Sequence, residues 1–164
     1  MVVHIEEFDP KGNQSQRRFL RTLFKEIVPK AEKEMQIVVL SGAMGSGKSL
    51  AVQYFISRLC MDTKYKNLKV GVGRISVTDA KDTFFKELKV MTPSSVLLKD
   101  NSENLLFKTG SEVTLQGWGD GNVRKIRSNN YHIFVMEEVT EDAAKNLVAE
   151  LGTLPAKYAP PECR

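Results

Sequence analysis

No stretch of this 164-residue sequence approaches the roughly 18 consecutive apolar residues that a membrane-spanning helix needs, which excludes that class of protein. Met1 to Pro10 mixes acids with hydrophobic residues, unlike a secretory leader. Cysteine is nearly absent. Cys60 and Cys163 are far apart and show neither a CxxC pair nor a Cys/His ligand spacing, so a disulfide framework and structural zinc are not expected. These features read as a soluble chain of a reducing, cytoplasmic compartment. A strong charge of one sign is lacking too: 24 Lys and Arg against 20 Asp and Glu leave a net +4, compatible with a polyanionic partner but too small to demonstrate one. Repeats and low-complexity segments are missing, and the length suits one domain able to bury a core without disulfides.

Against these absences one stretch stands out. Gly42-Ala43-Met44-Gly45-Ser46-Gly47-Lys48-Ser49 matches G-x-x-x-x-G-K-[ST] at every fixed position. At ordinary residue frequencies that pattern arises by accident in roughly one chain in two hundred of this length. Its surroundings fit the motif, because the β-branched run Ile37-Val38-Val39-Leu40 precedes it and Leu50 to Ile56 follows with helical spacing. Strand, loop and helix in that order make a phosphate-binding loop. Its glycines let backbone N–H groups turn inward at a helix N-terminus, where the helix dipole also favours an anion. Lys48 is then expected on the β- and γ-phosphates of ATP, and Ser49 on Mg²⁺.

Upstream, Glu6 to Asn13 reads as a polar arm. From Gln14 to about Val28, the residues Phe19, Leu20, Leu23, Phe24, Ile27 and Val28 mark one buried helix face that Pro29 limits. Arg17, Arg18, Arg21 and Lys25 occupy other positions and read either as a solvated face or as a DNA contact. Gln14 or Gln16 is a further option as an adenine reader. Residues 1–35 are thus an arm and amphipathic helix belonging to the same domain as a core over 36–164.

Downstream, the alternation in Leu68 to Val77 predicts a second strand, and Thr78-Asp79 caps a helix whose buried stripe is Phe84, Phe85 and Leu88. Thr92-Pro93-Ser94 breaks that helix. Leu105 to Lys108 and Glu112 to Gln116 flank Thr109-Gly110-Ser111 as a β-hairpin. Gly117-Trp118-Gly119-Asp120-Gly121 is too rich in glycine for a regular element, and its Trp118 is either a local anchor or a contact surface.

A second chemical centre is Tyr131-His132-Ile133-Phe134-Val135-Met136-Glu137-Glu138, which reads as a buried central strand ending in two acids at a ligand crevice. Adjacent strand residues point to opposite sides, so the carboxylates can divide two tasks. Glu137 is expected in the magnesium shell, and Glu138 is expected to orient and polarise an attacking water. The competing reading, that both acids merely start the next helix, is weakened by Thr140, Glu141 and Asp142, which already supply a cap and first-turn acids. His132 reads as a packed, hydrogen-bonded residue. The fold class expected is α/β, a P-loop NTPase with a mostly parallel central sheet flanked by helices, of the type with an additional strand and a catalytic glutamate.

Taken together, these residues resemble the N-terminal ATPase domain of the phage terminase large subunit, a DNA-packaging motor. The likeness runs from Val38 to Leu151. Its most specific part is Gly117 to Asp142, where a Gly/Asp loop and Arg124-Lys125-Ile126-Arg127-Ser128 precede the hydrophobic strand and Glu137-Glu138; Arg74 and the Thr83-Phe84-Phe85 helix also look like the family's second strand and following helix. Many relatives carry an arginine in the loop where Met44 stands here, and an aspartate at the position of Glu137. The resemblance implies an Mg²⁺-dependent ATPase that drives double-stranded DNA into a procapsid, in host cytoplasm, as a ring of copies with a portal protein and a small terminase subunit. It also implies a core strand with a coupling motif and a nuclease domain after the present residues, so no nuclease activity is expected from them, and the isolated domain is expected to be a monomer. An arginine finger would then come from a neighbouring copy, with Arg127 preferred and Arg124 second; solvated loop charges or DNA-backbone contacts are the competing reading of both. Residue spacing alone implies only an ATP-hydrolysing domain. A small P-loop kinase and a nucleotide-responsive DNA-binding module are the alternatives.

Overall fold

Asn13 opens the first helix, where its side chain accepts a hydrogen bond from the Gln16 N–H at 3.1 Å, a cap that typically contributes about 1 kcal/mol. The structure, a computed structural model, describes residues 13–31, 34, 36, 38–40, 45–74, 76–117 and 129–137. Helix α1 (Gln14–Thr22) runs through a π-helical turn, Leu23–Ile27, into α2 (Val28–Ala31). Its apolar face is the one expected: Leu20 and Leu23 are buried, with Phe19, Phe24, Ile27 and Val28 packed against the core. Pro29, however, does not end the helix. In the wider turn the Val28 N–H reaches back to the Leu23 carbonyl, a register that displaces the carbonyl a proline ring would otherwise strike. Arg17, Arg18, Arg21 and Lys25 are all exposed, which leaves both readings of that face standing.

Helix α3 (Lys48–Met61) packs beneath α1 through Phe55, whose ring meets Phe24 edge-on at 5.1 Å. Its core side holds Ala51, Ile56, Leu59 and Cys60, and burial pushes the Cys60 thiol up to about 12, as suits an inert core residue. Cys163 lies outside the described residues. Two buried polar residues tie α3 to its neighbour. Gln53 Nε2 donates to the Phe84 carbonyl at 3.2 Å and to Glu87 at 3.0 Å, and Ser57 shares a 2.9 Å hydrogen bond with Thr92. That neighbour comprises α4 (Val77–Ala80), a π-helical turn Lys81–Phe85 and α5 (Lys86–Met91). The expected stripe of Phe84, Phe85 and Leu88 is fully buried. The cap is Ser76 and not Thr78: its hydroxyl accepts from the Asp79 N–H at 3.3 Å, two residues earlier than read from the sequence.

The sheet is five-stranded and mixed, with β1 (Lys69–Arg74), β2 (Leu97–Asp100), β3 (Asn104–Phe107), β4 (Glu112–Gly117) and β5 (Ile133–Met136) in the order β2-β3-β4-β1-β5. Strand β1 runs parallel to both β4 and β5, whereas β2, β3 and β4 are antiparallel in sequence. This corrects the mostly parallel sheet, because the β3–β4 hairpin, turning at Gly110 with φ +82°, adds antiparallel neighbours on one side. The protein is α/β, with helices flanking this sheet.

Two strand readings also change. Residues 38–40 carry no strand, and Val38 and Val39 are 43% and 83% exposed. A β-branched run favours an extended backbone, but a strand also requires a partner ladder, and no described residue supplies one here. Strand β5 is an edge strand among the described residues, half-buried along its length, whereas β1 lies inside the sheet between β4 and β5. The glycines of β1 explain how its neighbours close in. A Cβ on Gly71 would stand 2.5 Å from Phe134, and one on Gly73 would run into the Gln116 backbone carbonyl of β4. Gly73→Ala should therefore lower stability by about 1–3 kcal/mol, since a carbonyl fixed in a ladder cannot swing aside as a side chain can. An unchanged urea midpoint for that variant would contradict the β1–β4 register.

Candidate functional site

Two glycines shape the part of the loop that is described. Gly45 and Gly47 have φ of +75° and +76°, left-handed values that side chains other than glycine rarely tolerate. At Gly45 no described residue lies within 4 Å of where a Cβ would be. Gly47 directly precedes α3, and its carbonyl accepts the Ala51 N–H at 3.1 Å, closing the first helical turn. The same carbonyl accepts Gln16 Nε2 at 2.9 Å. Gln16 thus ties helix α1 to the loop through 31 residues of separation. One N–H of its amide is thus engaged by the loop backbone. Lys48 and Ser49 occupy the first turn of α3, with Lys48 Nζ donating to Ser46 Oγ at 3.3 Å.

The decisive contact spans the chain. Ser49 Oγ donates to Glu137 Oε1 at 2.5 Å, joining residues 88 apart in sequence. Parallel strands place it: the β1–β5 register carries Gly73 opposite Met136, and the Glu137 N–H bonds the Gly73 carbonyl at 2.9 Å. Both strands therefore end on the same side, next to the N-terminus of α3. The family models and the curated proteins yield no match to this chain. The functional reading accordingly rests on these residues.

Arg74 is the functional candidate that spacing alone did not single out. It closes β1 one residue after Gly73, and its Nε lies 3.0 Å from Glu137 Oε2. Each carboxylate oxygen of Glu137 therefore has its own neighbour, the Ser49 hydroxyl on one and the Arg74 guanidinium on the other. The two side chains of the ion pair are 15% and 14% exposed, so the pair is little screened by water. A signal for it existed in the sequence: a charged residue at the C-terminal end of a strand that runs parallel to the acid-bearing one must arrive at the same crevice.

Of the residues expected at the site, Gly45, Ser46, Gly47, Lys48, Ser49 and Glu137 are described and lie together around the start of α3. Gly42, Ala43, Met44, Arg124, Arg127 and Glu138 lie outside the described residues, as does Trp118. His132 is hydrogen-bonded as expected, its Nδ1 accepting the Lys69 N–H at 3.0 Å, but it is exposed, not packed, and serves the open end of the β1–β5 pair. A separate cleft of about 390 Å³, between Met61, Lys66, Val96 and Lys108, lies at the far end of α3 and includes none of the site residues. That end is about 20 Å from Lys48 along the helix axis.

The donor set suits a hard cation carried by a phosphate. A hydroxyl and a carboxylate are oxygen ligands of the kind Mg²⁺ takes, and that ion commonly uses one or two protein oxygens and completes its shell with phosphate and water. Among the described residues no cluster of three His, Cys, Asp or Glu side chains forms.

Proposed function

We propose that this domain binds Mg²⁺-ATP at the Gly42–Ser49 loop in a P-loop NTPase fold and hydrolyses it. The observation that supports this reading is the Ser49–Glu137 contact, which brings the loop hydroxyl and a strand-end acid to one point as the sequence pattern requires. Lys48 and the loop backbone would hold the terminal phosphates, and Ser49 and Glu137 would hold the cation. Bound Mg²⁺ would supply charge neutralisation on the phosphate oxygens. Glu138 follows Glu137 directly, so an extended strand end would direct it to the other side, where its carboxylate could accept a proton from water. No described helix is long and apolar enough to cross a bilayer.

For the process served, we propose a viral DNA-packaging motor, on the strength of the sequence likeness between Val38 and Leu151. In that setting double-stranded DNA is the track, a portal protein and a small terminase subunit are partners, and copies assemble as a ring in which Arg127, with Arg124 second, is offered to the neighbouring site. Measurement of phosphate release with and without double-stranded DNA tests the activity. Steady release of inorganic phosphate is the expected result. Phosphate appearing on an acceptor instead would establish a kinase, and nucleotide binding with no turnover in either condition, in an assembled ring, would leave a binding module.

A further inference from the structure

We infer that Arg74 is an internal counter-ion for Glu137 that keeps a free divalent cation out of the site, so that the metal enters only together with the triphosphate. The inference rests on the nucleotide-site reading above and adds a rule of entry to it.

The geometry carries the argument. Glu137 has two carboxylate oxygens; Oε1 touches Ser49 and Oε2 lies 3.0 Å from Arg74 Nε. A carboxylate and a hydroxyl make a weak site for Mg²⁺, and a full positive charge held against that carboxylate weakens it further by direct repulsion. At 15% and 14% exposure, neither partner can hand its charge to water cheaply, so the pair persists until something else neutralises it. A lone cation adds positive charge to a place that already holds Arg74 against Glu137, with Lys48 beside Ser49 in the first turn of α3. A cation chelated by a triphosphate arrives with excess negative charge, which both basic side chains attract. Arg74 thus separates two ligands that share a metal and differ in net charge.

The position is also mechanically suited. Arg74 ends an interior strand, and its neighbour Gly73 is clamped between the Gln116 carbonyl and the hydrogen bond from the Glu137 N–H. The backbone from which the guanidinium extends is therefore fixed relative to Glu137. Only the side chain is needed to move when the metal complex arrives.

The test uses Mn²⁺ as a paramagnetic probe, titrated into the 164-residue chain by electron paramagnetic resonance, first alone and then with ATP. Wild type should bind Mn²⁺ alone poorly. Arg74→Gln should bind Mn²⁺ alone more tightly by about tenfold or more, within the range typical of coupling between neighbouring ligands, and Arg74→Lys should stay near wild type. Arg74→Met, which keeps the packing of the side-chain stem, gives the same measurement where the glutamine variant folds poorly. Equal or weaker Mn²⁺ binding in both neutral variants, with Glu137→Gln still weakening Mn²⁺-ATP, overturns the counter-ion role and leaves the nucleotide site intact. Unchanged Mn²⁺-ATP affinity in Glu137→Gln overturns the nucleotide-site reading, and the counter-ion role with it.

Discussion

Lys48→Ala is expected to weaken ATP binding by about a hundredfold or more while leaving the melting temperature nearly unchanged. Lys48 sits in the first turn of α3, where the helix dipole is positive and the turn itself contains no acidic residue. A lysine there costs local stability of about 0.3–1 kcal/mol, so its removal should not harm the fold. Charge-assisted hydrogen bonds to phosphate contribute about 1.5–3 kcal/mol each, and the loss of contacts to two phosphates accounts for the hundredfold. The conflict between local helix rules and the residue present is itself a mark of function. Titration with a fluorescent nucleotide, alongside thermal melting, checks both halves. Full affinity in a folded variant would remove the loop from the account.

The second large effect concerns Glu138. Glu138→Gln is expected to bind ATP with near-normal affinity and to lose turnover by about 10²–10⁴, the usual scale for removing a general base. An amide keeps the shape of the side chain but has no lone pair basic enough to take a proton from water. Glu137 cannot readily substitute for it, because both of its oxygens already have partners in Ser49 and Arg74. Quenched-flow measurement of cleavage, compared with nucleotide binding by the same preparation, separates the two steps. Wild-type turnover in Glu138→Gln would move the catalytic task elsewhere along the strand end.

Much of the site was legible in the sequence because its chemistry depends on local spacing. The loop residues run directly into Lys48 and Ser49, and the strand-then-acid pattern places Glu137 at a strand end without any knowledge of the neighbours, although the two segments are 88 residues apart. Arg74 was not legible in the same way. Its role depends on the register of β1 against β5, a pairing of distant segments that no periodicity encodes. Gln16 was noticed as a candidate for adenine, yet its amide meets the Gly47 carbonyl, a contact set by how α1 crosses α3.

The fold divides along the same line. Helix faces such as Leu20, Leu23, Phe84, Phe85 and Leu88 follow from a 3.6-residue period, and the hairpin turn follows from Gly110. Strand β2, Leu97–Asp100, escaped notice because its burial is confined to Leu97, leaving no alternation to read. The segment 38–40 has strand composition but no partner among the described residues, and composition cannot supply a partner. Pro29 shows a further limit, since a π-helical turn just before it lets a helix continue where local rules would stop it.

The account depends most on Ser49 and Glu137 acting as one cation site, and a double-mutant cycle on nucleotide affinity tests that most directly. Ser49→Ala, Glu137→Gln and the double variant are each titrated with ATP, once with Mg²⁺ and once with the metal chelated. Each single variant should lose about tenfold or more in affinity with Mg²⁺ and little without it, and the double variant should lose scarcely more than the weaker-binding single variant, as expected for two ligands of one ion. Losses that multiply in the double variant, or that are equally large without Mg²⁺, would contradict the account.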